Sequence, residues 1–448
     1  MLTLFLVIVF CIFGVITGIA TGLLPGLHVN NIALILLSLS GSIIAIFSFL
    51  FDLGISENFI LVLICVFIIS TSISHTFHDV IPSTFLGAPD EDMALSVLPA
   101  HSLLLEGKGY EAVALSAMGS YGAILFCFLL LFPIRFIIGK PLVFYETLKE
   151  IMFFVLLAIT ILMIGTEKGR IEAFHCKGIL PSVIGMVFAF FVFILSGVFG
   201  IIILEMSVDS PIGLSSPVLF PALAGLFGTP TLLTSLLTKP KIPKQTIKEP
   251  KLNNKDKKAS ILSVVTGSFG GILVSIIPGI TSATGTIIAM NARGESDKRQ
   301  TIVTLSAVNT ACAFFVVVVL FIILRSRSGA TLAAIELISV NEWITILMPA
   351  NLSYLLIAML LGGTLSYFLT LKIGKIFANR FANVSYSLIV KLTITLVTIL
   401  VFLFTGLIGI MILIIATFIG LLPVEWGVRR SHCMGILLFP IMLYFFSI

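Results

Sequence analysis

The stretch GVITGIATGLLPGLHVNNIALILL, Gly14 to Leu37, decides how this chain folds. It is apolar at both ends and interrupted by Pro25-Gly26, with Asn30 and Asn31 close behind. Proline removes a backbone donor and its ring clashes with the preceding turn, so a helix stops or kinks there. In hydrocarbon an unsatisfied backbone group costs several kcal/mol, so such a break survives only where protein buries it or it lines a wet cavity. The surroundings are indeed oily. Of 448 residues 58% are hydrophobic and 10% charged, and the mean hydropathy is +1.20. Soluble domains carry about a quarter charged residues.

Apolar runs long enough to cross about 30 Å of hydrocarbon recur from end to end. This implies an all-α polytopic membrane protein with about 10–13 transmembrane or re-entrant helices. A barrel would read as short alternating segments instead. The runs at 331–371 and 386–422 are each long enough for two passes. MLTLFLVIVFCIFGVITG lacks a basic leader and reads as a retained first membrane segment. Six cysteines (Cys11, Cys65, Cys127, Cys176, Cys312, Cys433) are scattered and show no CxxC spacing, so they imply neither a disulfide framework nor a structural zinc site.

The opening pattern returns. Gly14, Gly18, Pro25 and Gly26 are matched 253 residues later by Gly267, Gly271, Pro278 and Gly279, in GSFGGILVSIIPGITSATGT. Internal repeats with interrupted helices are a mark of secondary transporters. Between the copies lies KPKIPKQTIKEPKLNNKDKK, with eight lysines and three prolines. It reads as a solvated linker without regular structure, cytoplasmic by the positive-inside rule. The chain thus divides into a first membrane half at 1–238, a linker at 239–258 and a second membrane half at 259–448. No lysine or arginine precedes Lys108, whereas the second copy is flanked by the linker and by ARGESDKRQ, Ala292 to Gln300. If each copy enters and leaves on one side, the two open in opposite directions as an inverted pair.

A half-helix that restarts after each break presents free N–H groups and a positive dipole end, which favour an anion. The candidate substrate-binding residues are therefore Pro25, Gly26, His28, Asn30 and Asn31, with Pro278, Gly279, Thr281, Ser282 and Thr284 in the second copy. Two such ends would cradle a carboxylate or phosphate without a buried lysine. The competing reading is a pair of kinked helices packed through glycine faces, since GxxxGxxxG is also a plain packing motif.

A second polar cluster is STSISHTFHDVIPSTFLGAPDEDM, Ser70 to Met93. His75, His78 and Asp79 have i, i+3, i+4 spacing and share a helix face. They and the acidic run containing Asp90, Glu91 and Asp92 are candidates for ion coupling, because ionisable groups among membrane spans default to function. The bland alternative is a wet helix end, and HxxHD is a weak metal signal. Glu205 and Asp209 precede SPIGLSSPVLFPALAGLFGTP and read as an exterior loop. Asn309 lies in an otherwise apolar span, where it serves as an interhelical hydrogen bond or a ligand. No nucleophile elbow, P-loop or HExxH occurs, so catalytic residues, metal and cofactor are expected to be absent, with H⁺ or Na⁺ as coupling ion.

These residues resemble the large membrane subunit of tripartite tricarboxylate transporters. FLGAPDEDMALSVLPAHSLLLEGKGYEAVALSAMGSYGA looks like that family's stretch from a proline-rich loop to a Gly-Lys-Gly element, through Pro89, Pro99, Gly107, Lys108 and Gly109. IGLSSPVLFPALAGLFGTPTLL is similar to its second proline-rich segment, through Pro217, Pro221, Gly225, Leu226 and Phe227. The family's usual PGxG reads here as Pro25-Gly-Leu-His28 and Pro278-Gly-Ile-Thr281, and its acidic-Ala-Asn-Asn element as Ala307-Val-Asn309-Thr310.

The resemblance implies an ion-driven permease of carboxylate anions in the plasma membrane, with a small membrane subunit and an extracytoplasmic binding protein. A homodimer is compatible with this. A weaker likeness runs to polyprenyl-phosphate translocases, in which a lipid phosphate would occupy the same cradle. The expected partners are thus the bilayer and a small organic anion or lipid phosphate, and not nucleic acid.

Overall fold

Long apolar stretches punctuated by Pro-Gly, Gly and charged turns fold into helices, and no strand occurs among the described residues. The computed structural model describes residues 2–24, 29–86, 93, 97–167, 180–206, 208, 210–211, 218–238, 243–248, 250, 253–277, 282–293, 297–381 and 386–446. The first half opens with α1 (Leu2–Leu23), α2 (Val29–Ser38) and α3 (Ser40–Ile46). It continues with α4 (Glu57–His78), α5 (Val80–Phe85), α6 (Val97–Leu105) and α7 (Gly109–Ile138). It closes with α8 (Phe144–Glu150), α9 (Met152–Gly165), α10 (Leu180–Leu204), α11 (Leu219–Leu223) and α12 (Thr229–Thr238). The second half contains α13 (Asn254–Ile276), α14 (Ser282–Arg293), α15 (Lys298–Ile323) and α16 (Gly329–Leu337). It ends with α17 (Ala350–Phe381), α18 (Tyr386–Glu425) and α19 (Gly435–Phe446).

Among the described residues eight spans are long and apolar enough to cross a bilayer, and three apolar helices are shorter. The run at 331–371 divides into the short α16 and the 32-residue α17. The run at 386–422 doubles back: Gly406 (φ 62°, ψ −156°) reverses α18. A Cβ on Gly409 would lie 3.3 Å from Val401, where a straight helix would separate those residues by about 12 Å along its axis. Only glycine readily adopts that backbone region.

Glycine ladders set the two central helix pairs. A Cβ on Gly14 would meet Ser70 Cβ at 2.7 Å, and one on Gly18 would meet the Thr71 carbonyl at 2.6 Å, so α1 and α4 pack backbone to backbone. In the same way, Gly267 faces Thr304 and Ala307, and Gly271 faces Ala311, bringing α13 onto α15. In both pairs residue numbers rise together, so the helices are parallel.

α17 runs in the same direction as α4, with Phe59 against Tyr354, Gly362 against Ser70 and Thr370 against His78. α15 runs in the same direction as α7, with Ser116 against Ser306 and Phe128 against Phe314. α17 and α7 meet head to tail, through Tyr121–Tyr367 and Gly374–Val113. It follows that α1 and α4 point opposite to α13 and α15.

Most described residues of the lysine-rich linker are exposed, as expected of a solvated segment, but it is not all coil. α13 begins inside it, at Asn254, because Asn253 and Asp256 form a reciprocal capping box. Residues 243–248 have no regular structure but are clamped onto the turn between α6 and α7. Gly109 N–H donates to Gln245 Oε1 (2.9 Å), Gln245 Nε2 donates to the Leu104 carbonyl (3.1 Å), and Thr246 N–H donates to the Gly107 carbonyl (2.7 Å). Lys298 adds an ion pair to Glu106 on the same face.

Candidate functional site

α4 and α15 cross inside the bundle and carry a layer of buried polar side chains through an apolar core. At its centre Asn309 Nδ2 donates to Asp79 Oδ2 at 2.8 Å, and both residues are buried. Beside this pair the Thr76 and Thr310 hydroxyls meet at 3.0 Å. Ser116 and Ser306 meet at 2.7 Å, and Ser120 donates to the Ser306 carbonyl. A carboxylate within membrane spans is costly unless partnered, and a charge-assisted amide donor is one of the stronger partners available.

His75, His78 and Asp79 do not converge on one ligand point. His75 Nδ1 pairs with Thr21 Oγ1 of α1 at 3.1 Å. His78 Nδ1 lies 2.7 Å from the Ser74 carbonyl, which can only accept, so that nitrogen carries the proton. Its Nε2 meets Thr370 Oγ1 of α17 at 3.2 Å. The three residues thus address α1, α17 and α15. Among the described residues no group of three or more His, Cys, Asp or Glu is placed to hold a metal ion.

This layer lies between the two interruptions. α1 ends at Leu23 and α2 starts at Val29, while α13 ends at Ile276 and α14 starts at Ser282. Gly22, in the last turn of α1, packs on His75, His78 and Asp79. Gly285, in the first turn of α14, packs on Val308, the neighbour of Asn309. Ser282 and Thr284 are buried in that first turn.

One tripeptide ties the two interrupted helices together. The Arg327 guanidinium donates to the Ile276 carbonyl, the last residue of α13. Two residues on, Gly329 N–H donates to Asn30 Oδ1, in the first turn of α2, at 2.9 Å. Asn30 is thus engaged through its carbonyl oxygen by a protein partner. Between them Ser328 caps α16 in a reciprocal box with Thr331. Burial pulls the Arg327 pKa below its ordinary value. Sequence reasoning missed Arg327. The available signal was RSRSG at 325–329, a short polar break between two apolar runs.

Sequence reasoning also missed a second buried charged group, remote from the breaks. Glu167 Oε2, beyond α9, accepts from Arg429 Nε (3.0 Å) and Arg429 N–H (3.1 Å), and meets His432 Nε2 at 2.7 Å. Burial raises the Glu167 pKa, but the hydrogen bonds from His432 and Arg429 outweigh it and hold the carboxyl down at about 2. Arg429 also donates to the Met163 carbonyl and to Thr166. This group fastens the α18–α19 turn to the end of α9.

Several candidate residues lie outside the described ones: Pro25, Gly26, His28, Pro278, Gly279, Thr281, Asp90, Glu91, Asp92, Asp209 and Pro217, together with the Asn31 side chain.

A family model described as the tripartite tricarboxylate transporter TctA family matches residues 8–435. An uncharacterized protein of Methanocaldococcus jannaschii, MJ1079, is 31% identical over 443 residues, and the match covers 98% of each chain. No solved structure matches.

Proposed function

This chain belongs to the tripartite tricarboxylate transporter TctA family, and from that membership we propose that it carries small organic anions such as di- and tricarboxylates. A transport role in the membrane follows from the family and from the eight apolar spans. In the finer reading, the anion binds between the two interrupted helices and alternates between the two faces. Two oppositely directed hairpins, each with an interruption, are the geometry that alternating access uses. Asp79, held by Asn309 between the breaks, is the coupling carboxylate for H⁺ or Na⁺, and His75 adjoins it. In this reading the acidic run at Asp90 and Asp92 supplies further coupling oxygens, and the linker faces the cytoplasm. Accessory subunits would engage the opposite face.

The observation that carries this reading is the convergence of both interrupted helices on the segment Arg327–Gly329. The test is a thermal-shift screen of citrate and succinate against prenyl phosphates, followed by counterflow in proteoliposomes. At a hundredfold excess over Kd, stabilisation of about 2.7 kcal/mol is expected from a true ligand. Stabilisation by prenyl phosphates alone would replace the carboxylate reading with a lipid-carrier one.

A further inference from the structure

We propose that Arg327 is the group that receives the substrate's carboxylate, at the junction where α13 ends and where α2 and α16 begin. This rests on the anion-transport reading and deepens it, because it gives the site a fixed positive charge in place of a cradle of backbone amides alone.

The argument starts from what Arg327 touches. Its guanidinium has five N–H donors, and a single hydrogen bond, to the Ile276 carbonyl, engages it among the described residues. Arg135 and Arg430 also donate to carbonyls, those of Trp343 and Phe227. What sets Arg327 apart is its place at the end of α13, while several other cations have carboxylate partners. Arg429 pairs with Glu167, Arg299 with Glu111, Lys298 with Glu106 and Lys140 with Glu342. No carboxylate among the described residues pairs with Arg327, although the residue is half-buried and loses solvation by it. A desolvated cation without a counter-charge is costly, and a bound anion removes that cost. The planar fork of arginine matches a carboxylate with two parallel hydrogen bonds, which a lysine cannot reproduce.

Position supplies the second strand of the argument. Residue 327 stands two residues before the N–H that holds Asn30. The segment carrying the charge is therefore tied to both interrupted helices, by the guanidinium to α13 and by the Gly329 backbone to α2, and an anion bound there would sense their relative movement. The capping box of Ser328 and Thr331 already satisfies the start of α16, so the recognition rests on the side chain and not on that helix end. The competing role is purely structural, with Arg327 capping the carbonyl end of α13.

The two roles separate experimentally in the full-length protein, purified in detergent. Citrate and succinate are titrated against wild type, Arg327→Lys, Arg327→Gln and Arg325→Gln, with melting temperature also recorded without ligand. Arg325 is exposed, so Arg325→Gln controls for the loss of one positive charge nearby. Arg327→Gln is expected to weaken binding by about 10–150-fold, as loss of a charged hydrogen-bonding group does. Arg327→Lys should fall between it and wild type, and Arg325→Gln should bind as wild type. If Arg327→Gln and Arg327→Lys bind within about twofold of wild type while the ligand-free melting temperature drops, Arg327 is only a helix cap and the proposal is overturned. Should Arg327→Gln fail to fold, Arg327→Lys decides alone, since wild-type affinity in it removes the need for the fork. Wild type that binds neither acid overturns the anion-transport reading itself.

Discussion

Asp79 is 1% exposed and takes its hydrogen bond from a residue 230 positions away. That arrangement has two separable consequences. If Asp79 couples the ion gradient, Asp79→Asn should keep the fold and retain substrate counterflow while abolishing gradient-driven accumulation. Accumulation at wild-type rate in Asp79→Asn vesicles would remove it from the coupling role. Asn309→Ala, in contrast, removes a donor from a buried carboxylate, a loss of about 1–3 kcal/mol, readable as a lower melting temperature. Glu167 makes a prediction about pH. Its folded pKa lies near 2, below the ordinary carboxylate value. The sign follows: its contribution is fully present above the unfolded pKa and is lost as pH falls towards the folded one. Wild type should therefore lose stability between about pH 5 and pH 2 more steeply than Glu167→Gln. Equal slopes would show that the Glu167–Arg429–His432 group does not govern acid stability.

At the scale of elements, the glycine ladders and the α18 turn are the points where single substitutions should act through backbone geometry. A leucine at Gly18 or Gly271 has nowhere to go, because even its Cβ would overlap a backbone carbonyl or side chain of the facing helix. Either substitution should separate the pair it joins, at a cost of about 1–3 kcal/mol or more, seen as protease sensitivity in the purified protein. Gly406→Ala should cost about 1–3 kcal/mol, since the backbone there is essentially glycine-only. If its melting temperature matches wild type, the hairpin reading of α18 is wrong. The ladder was legible in the sequence because seven- and eleven-residue spacings before each Pro-Gly recur in both halves. Gly406 was not, because one glycine among 36 carries no mark of its φ. The docking of the linker was not legible for a similar reason: lysine density signals solvation, and most of its described residues are exposed, but one buried glutamine, Gln245, ties the chain down.

The whole molecule presents two interrupted hairpins pointing opposite ways, and that makes a prediction about sidedness. Asp52, in the loop before α4, is exposed, as is Lys248 in the linker. With the linker cytoplasmic, Asp52→Cys should react with a membrane-impermeant maleimide in intact cells, and Lys248→Cys only after permeabilisation. Labelling of both from outside would contradict the orientation inferred from loop charge. Family membership and the helical, multi-pass character follow from patterns spread along the chain, so no single position decides them.

What the amino-acid order determined by itself was everything carried by local spacing: apolar runs long enough to span, the paired glycine-proline breaks, the lysine linker, and the polar residues too expensive to be idle in hydrocarbon. Asp79, His75 and Asn309 stood out for that last reason. The meeting of Asp79 with Asn309, the divergence of His75 and His78 onto different helices, and the placing of Arg327 between two interrupted helices were decided only in three dimensions. Periodicity reports the face a residue occupies on its own helix, whereas partners hundreds of residues apart are chosen by how helices cross, and glycines set that crossing by allowing backbones to touch.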